Sequence, residues 1–360
     1  MASHAGVTFS GENISMHKPG HSERGKVSRR RALVLMAGAG SVLASPRILR
    51  ARDRASVKIA SGVTPPSLHN IYVHVAYERG LFRDNDVDVT EFIQLRGGPL
   101  ATQAIASGRI DVTLIDPEGL LAAVANGHPI RAVSAPGARL SYMVAVRKEI
   151  ETVADLRGKP FAISRPGAIS QYLMFPLLDD AGVPRDSVQW YGVGGGYERM
   201  LALLSDRVKG ALLNVDFMME AINDPNIRII KSVSEILPEY PVELLVLRND
   251  MLEKNPDAAT AITTALIQAC RYIVKNKAGT IEVAHKYVPG MKIDVLERAY
   301  DELLRIGGFG VNGGMTQANM KVAHDLALQN KQIDRPIPLE KWSDFRFQQR
   351  SLEALGHFPG

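Results

Sequence analysis

The sequence predicts an α/β chain built as two similar lobes, and three observations point there. From Ser56 onward, strand-like runs alternate with helical runs. The same order restarts after Glu151. The segment Ala104 to Asp116 also lines up with Ala202 to Asn214, with four of thirteen positions identical and most others apolar against apolar. Strands separated by helices of about ten residues argue right-handed βαβ units in a parallel sheet, and a repeat at the same helix-to-strand step argues two such lobes.

In the first lobe Val57 to Ala60 reads as a strand, and Thr64 to Asn70 as a loop. Leu68, Ile71, Val75 and Ala76 recur at helical spacing until Gly80 stops the turn. Val87 to Ile93 alternates with period two as a second strand, and Gly97-Gly98-Pro99 opens a helix that closes at Ser107-Gly108. Asp111 to Asp116 is a buried strand, Pro117 to Ala125 a helix, and Ile130 to Ser134 a fourth strand.

The second lobe repeats this order. Phe161 to Ser164 is a strand, Ile169 to Ala181 a helix, Val188 to Tyr191 a strand, Tyr197 to Ser205 a helix and Ala211 to Asn214 a strand. Pro176 conflicts with an unbroken first helix, because it lacks the donor for the interior ladder and should kink or split it. After Gly279 the chain is helical at first, then punctuated by Pro336 and Pro338, and is expected to pack back on the first lobe.

Charge is uneven. The chain has 360 residues and a formal net charge of +5. Residues 1 to 55 hold ten bases and three acids, so residues 56 to 360 carry a net −2. No basic stripe with interleaved aromatics occurs there, which removes the main support for nucleic-acid binding. The leader runs from Ser28-Arg29-Arg30-Arg31 into an apolar stretch from Ala32 to Ala44 and then Ser45-Pro46, the layout of an export signal. Thirteen residues with two glycines are short for a membrane span. The paired arginines resemble a twin-arginine signal, with Ala32 and Val34 where that motif has Phe and Lys. The alternatives are general export and a basic tail on a cytoplasmic chain.

In parallel sheets ligands bind beyond the carboxyl ends of the strands, where loops and helix N-termini meet. Two facing lobes would pool Thr64, Ser67, His69 and Asn70 with Arg96, Gly97, Gly98, Asp116 and Glu118, and with Arg165, Gly167, Ser170, Gln171 and Tyr172. Gly194, Tyr197, Asn214 and Asp216 complete the set. Arg96 and Arg165 suit a carboxylate or sulfonate through forked hydrogen bonds. Asp116, Glu118 and Asp216 suit an amine, a hydroxyl or a ring nitrogen, and Tyr172 or Tyr197 could stack on a planar group. Both readings stay open.

Ala76-Tyr77-Glu78-Arg79-Gly80-Leu81-Phe82 precedes a strand, Ser107-Gly108-Arg109-Ile110-Asp111 makes a helix-to-strand step, and Asp155-Leu156-Arg157-Gly158-Lys159-Pro160-Phe161 opens the second lobe. In this order and spacing the chain resembles the nitrate/sulfonate/taurine-type solute-binding proteins of ABC importers, over about Ser56 to Lys277. The resemblance implies a type II periplasmic-binding-protein fold, with a ligand cleft between two lobes, two hinge crossings, a small solute and a membrane permease as partner. It implies a first lobe of 56–147 plus 242–360 and a second of 148–241, with crossings at Tyr142 to Val146 and Val242 to Leu247. Asp86 and Asp206 stand where the family has Gly, which puts two turns in question.

The chain is also similar to the pyrimidine-precursor synthases of thiamine biosynthesis, which share this fold but carry a cysteine-rich motif that one cysteine cannot supply. An enzyme on this scaffold acting on an aromatic acid or a pyrimidine precursor remains the alternative. Gly308 to Gly313 matches GxGxxG but follows a helical pattern instead of a strand, so its context argues against a dinucleotide site. Cys270 reads as a core residue, the histidines show no ligand spacing, and neither metal nor cofactor is expected.

Overall fold

The computed structural model describes residues 54–62, 66–95, 98–288 and 290–359. The expected export signal therefore lies, apart from residues 54 and 55, outside the described residues. Within them ten strands run in chain order as β1 (Ala55–Ser61), β2 (Val87–Gln94), β3 (Val112–Ile115), β4 (Ile130–Gly137), β5 (Tyr142–Arg147), β6 (Pro160–Ile163), β7 (Gln189–Gly192), β8 (Gly210–Asn214), β9 (Ile227–Ser232) and β10 (Glu243–Arg248). They form two five-stranded sheets, in the orders β2-β1-β3-β10-β4 and β7-β6-β8-β5-β9.

The two orders are one pattern used twice. β1 lies parallel to β2 and β3, as β6 does to β7 and β8. β10 is antiparallel to β3 and β4, as β5 is to β8 and β9. The aligned segments of the two halves end in β3 and β8, the equivalent strands. One boundary differs from expectation: Tyr142–Arg147, counted above with the first lobe, pairs entirely within the second sheet.

The near-continuous apolar runs of β5 and β10 follow from burial on both faces. In β10, Leu245 and Leu247 belong to one core cluster and Leu244 and Val246 to the other. β9 escaped the sequence reading because it is an edge strand without alternation, in which only Ile227 is buried. The helix expected over Ile169 to Ala181 splits into Ile169–Tyr172 and Met174–Asp180, which seats Pro176 in a first turn where no ladder donor is needed.

Asp86 and Asp206 both adopt φ of 58°, and Gly108, at the step equivalent to Asp206, has φ of 73°. Aspartate tolerates the left-handed region better than most residues, so both turns keep the shape a glycine would give. Asp206 also meets Lys209 at 2.7 Å and Arg147 at 3.4 Å.

The C-terminal segment packs on β4. Asp344 N–H donates to Ala132 O at 2.8 Å, and Trp342 is fully buried. The glycines that match GxGxxG belong to this contact: Gly310 N–H donates to Pro136 O at 2.9 Å, and Ala135 N–H to Gly313 O at 2.6 Å. Close backbone approach, not a phosphate, explains them. A Cβ on Gly314 (φ +74°) would stand 2.1 Å from Ala135 O, whereas one on Gly127 (φ +82°) would meet nothing within 4 Å. Gly127→Ala should therefore cost about 1 kcal/mol for its backbone region alone. Gly314→Ala should cost roughly 2–4 kcal/mol in urea denaturation, because it adds a clash with backbone. Equal losses would mean that the turn, and not the close approach, requires glycine at 314.

Candidate functional site

Parallel strands bring their carboxyl ends to one edge of a sheet, and an antiparallel neighbour begins at that same edge. Asp116 follows β3, and Glu243 begins β10 next to it through the pairing of Leu244 with Ile115. In the second sheet Tyr142, at the start of β5, pairs with Asn214 at the end of β8. Gly62, Ser164 and Gly194 follow β1, β6 and β7. Apart from Leu244, all of these residues line a single cavity of about 470 Å³ with walls from both sheets, a size suited to a small molecule.

On the first-sheet side, Asp116 caps the helix Pro117–Ala125 by accepting from Gly119 N–H at 2.8 Å. Glu118 sits in the first turn of that helix and is 2% exposed. Its Oε2 accepts the hydroxyls of Tyr172, at 2.5 Å, and Tyr240, while its Oε1 is buried without a partner. Burial, and then the nearby Asp116 charge, push the Glu118 carboxyl up to about 8 against the two tyrosine donors. Burial likewise raises Glu243 to about 7, although Tyr72 donates to it.

His69 follows Ser67 in the turn Leu68–Asn70. Ser67 Oγ is hydrogen-bonded to its Nδ1, and the Asn214 Nδ2 amide, which can only donate, lies 3.2 Å from the same nitrogen. Nδ1 is thus the acceptor and Nε2 keeps the proton. Burial, with the positive Arg199 second, lowers His69 to about 4, so its ring is neutral near pH 7.

Arg199 is the buried cation of the site, 4% exposed, in the helix Gly196–Leu204. Its Nε donates to Leu212 O at 2.9 Å and its Nη1 to Gly194 O at 3.1 Å. Among the described residues no carboxylate pairs with it, and the cavity-lining Glu198 beside it is exposed. The first turn of that helix carries no side-chain cap, its N-cap being Gly195.

Of the residues expected at the site, His69, Asp116, Glu118, Arg165, Gly167, Tyr172, Gly194 and Asn214 line the cavity. Five others are not among the lining residues but bond to their neighbours. Ser67 orients His69 and accepts from Asn214 Nδ2 at 3.0 Å; Asn70 accepts from Ser67 N–H at 3.0 Å. Ser170 accepts from Ser164 N–H at 2.8 Å, and Gln171 from Gly167 N–H at 2.7 Å. Asp216 accepts from Leu68 N–H at 2.9 Å and is raised by burial to about 6.

Tyr197 corrects the expectation of a stacking platform. It is 39% exposed, leans on Phe217 at 6.3 Å between ring centres and is not among the lining residues. Gly98 opens the helix Gly98–Ala106, and Thr64, Arg96 and Gly97 lie outside the described residues. Sequence reasoning missed Tyr142, Glu243 and Arg199. A glutamate opening the apolar run Val242 to Leu247, and an arginine three residues after the glycines, were the available signals.

The family model described as NMT1/THI5 like matches residues 68–279. The chain is 21% identical over 247 residues to the formylaminopyrimidine-binding protein of Halalkalibacterium halodurans, a match spanning 67% of this chain and 73% of that one. The ligand-binding component of an ABC-type import system from Staphylococcus aureus is similar at a TM-score of 0.69 and 16% identity, over 83% of this chain and 99% of that one. The periplasmic aliphatic sulphonate binding protein of Escherichia coli is similar at 0.64 and 16%, over 79% and 91%. These likenesses concern the fold, and the two-lobe periplasmic-binding-protein fold expected from the sequence is the one this chain adopts.

Glu118 and Glu243 keep protons in the folded chain that the unfolded chain releases in the ordinary carboxylate range. Their contribution to stability is complete below that range and is lost as pH rises through about 7 and 8. His69 and His74, both lowered to about 4, act in reverse: their contribution is present above 6.5 and lost as pH falls toward 4. Above pH 6.5 the carboxyls dominate, so the ligand-free protein should lose on the order of 1–2 kcal/mol between pH 6.5 and 8. Urea titrations should show Glu118→Gln flattening that slope, and a variant as steep as the parent would contradict the assignment.

Proposed function

The chain belongs to the NMT1/THI5-like family, and we propose that within it this protein is the solute-binding component of an ABC importer. In this reading it closes two lobes on a small organic solute (sulfonate, taurine-like, carboxylate or pyrimidine-like) and presents it to a membrane permease. The observation that carries the reading is the cavity of about 470 Å³ walled by both sheets. It gathers buried polar groups that lack partners of their own, Glu118 Oε1 and Asn214 Oδ1 among them. The names of the similar binding proteins and of the importer component support the same role.

The chain passes between the sheets twice, at residues 138–141 and 233–242. We take these as the hinges, with 148–241 as the core of the second lobe and β5 added to it. Leu68 N–H on Asp216 and Asn214 Nδ2 on Ser67 join the two sides and belong to the closed state. Residues 1–55 serve as an export signal of the twin-arginine type, so the module works in the periplasm. The role is binding without catalysis: the one cysteine, Cys270, lies against Pro136 O away from the lining, and burial raises its thiol to about 12.

A thermal-shift screen of the purified protein against sulfonates, taurine, carboxylates, pyrimidines and amines tests this reading. A ligand at a hundred times its Kd adds about 2.7 kcal/mol, and the compound should be recovered unchanged. Ala168→Trp places bulk in the cavity from a half-buried position. That variant should melt like the parent without ligand and show no shift with it. Turnover of the hit to a product would replace the transport reading with the enzymatic one.

A further inference from the structure

The cleft has two chemically opposite walls. On the second-sheet side stands Arg199, almost fully buried, with two of its N–H groups on backbone carbonyls and no carboxylate partner among the described residues. A guanidinium taken out of water without a counter-charge is costly. The negative charge nearest to it, Glu198 in the first turn of the same helix, is exposed and forms no ion pair with it. His69, whose Nδ1 is taken by Asn214 and Ser67, lines the same cavity, and the helix that carries Arg199 begins at Gly195-Gly196 without a side-chain cap. On the first-sheet side stand Glu118 and Glu243, 2% and 5% exposed, with Asp116 beside them. Tyr172 and Tyr240 occupy one oxygen of Glu118, and the other is buried without any partner.

We propose that this cleft is built for a small zwitterion, whose acidic group meets Arg199 and His69 while its ammonium, amidinium or protonated ring nitrogen meets Glu118 and Glu243. The proposal rests on the cleft being a solute site, as argued above, and names the class of solute. A plain monoanion answers Arg199 but leaves Glu118 Oε1 unpaired. A plain amine answers the carboxyls and leaves the guanidinium without an ion-pair partner. Only a molecule carrying both charges removes both deficits, and each mismatch is a penalty that discriminates against the simpler compounds. Glu118 faces Asp116, Tyr172 and Tyr240, and Arg165 stands at the exposed rim near Asp116. A cation seated on Glu118 ionises it, so binding near pH 7 expels a proton into the buffer.

Matched probes separate the alternatives: 4-(aminomethyl)benzoate, 4-methylbenzoate and 4-methylbenzylamine, then 5-aminopentanoate, pentanoate and pentylamine. Each is titrated calorimetrically into the protein and into Arg199→Gln, Arg199→Lys and Glu118→Gln, with folding checked by thermal melting. In at least one trio the zwitterion should bind about tenfold or more tightly than either partner, with a heat that depends on the ionisation enthalpy of the buffer. Glu118→Gln should reduce it to the affinity of the acid and remove the buffer dependence. Arg199→Gln should reduce it to that of the amine, and Arg199→Lys should restore part of the loss. Acid or amine binding as tightly as the zwitterion in both trios, or a Glu118→Gln variant of unchanged affinity, overturns the proposal. If neither these probes nor taurine binds while a sulfonate or pyrimidine of single charge or none from the screen does, the zwitterion class falls and the solute-binding reading stands. If nothing binds at all and Ala168→Trp alters nothing, both fall.

Discussion

The site depends on one exchange: each sheet takes its antiparallel strand from the far side of a chain crossing. β10 reaches the first sheet only after the second is complete, and β5 leaves the first half of the chain to enter the second sheet. An antiparallel strand starts where its parallel neighbours end. That single geometric fact sets Glu243 beside Asp116 and Tyr142 beside Asn214. The helix N-termini after β3, β7 and β8 arrive at the same level, so donors and acceptors from both halves meet across one cavity.

Such a meeting has an electrostatic cost, and the chain limits it unevenly. Glu243 and one oxygen of Glu118 are held by tyrosine hydroxyls, and burial keeps both carboxyls protonated to higher pH than is usual. His69 stays neutral. Arg199 cannot shed its charge in this way, because a guanidinium keeps its proton throughout the accessible range. The cleft therefore holds a permanent cation with no ion-pair partner among the described residues, facing acids that can neutralise. That asymmetry favours a solute that brings its own negative charge.

Much of the fold was legible because its signals are local. The period-two run of β2, the helix between Asp116 and Asn126 and the repeated helix-to-strand step each depend on a few neighbouring residues. The membership of β5 was not legible, since its apolar run fits either sheet and only the crossing decides. Asp86 and Asp206 looked like departures and proved to be substitutes, because aspartate shares the left-handed turn with glycine. At the site, residues in loops after parallel strands were found by the rule for such sheets. Tyr142, Glu243 and Arg199 were not, as the first two open strands and the third lies inside a helix, places where sequence alone reads packing. Tyr197 was misplaced for a rotational reason: one step along a helix turns a side chain by about a quarter of a circle, from the cavity to the surface.

The strand exchange also orders events during synthesis. The strands of the second sheet come from one continuous stretch, 142–232, while the first needs residues 55–137 and then 243–248. As the chain emerges from the ribosome, the second sheet can close all its hydrogen bonds while β3 and β4 still wait for the strand that separates them. The half made first is thus finished last, and until residue 248 appears it exposes two unsatisfied strand edges, the point at which a nascent chain of this design is most open to wrong pairing.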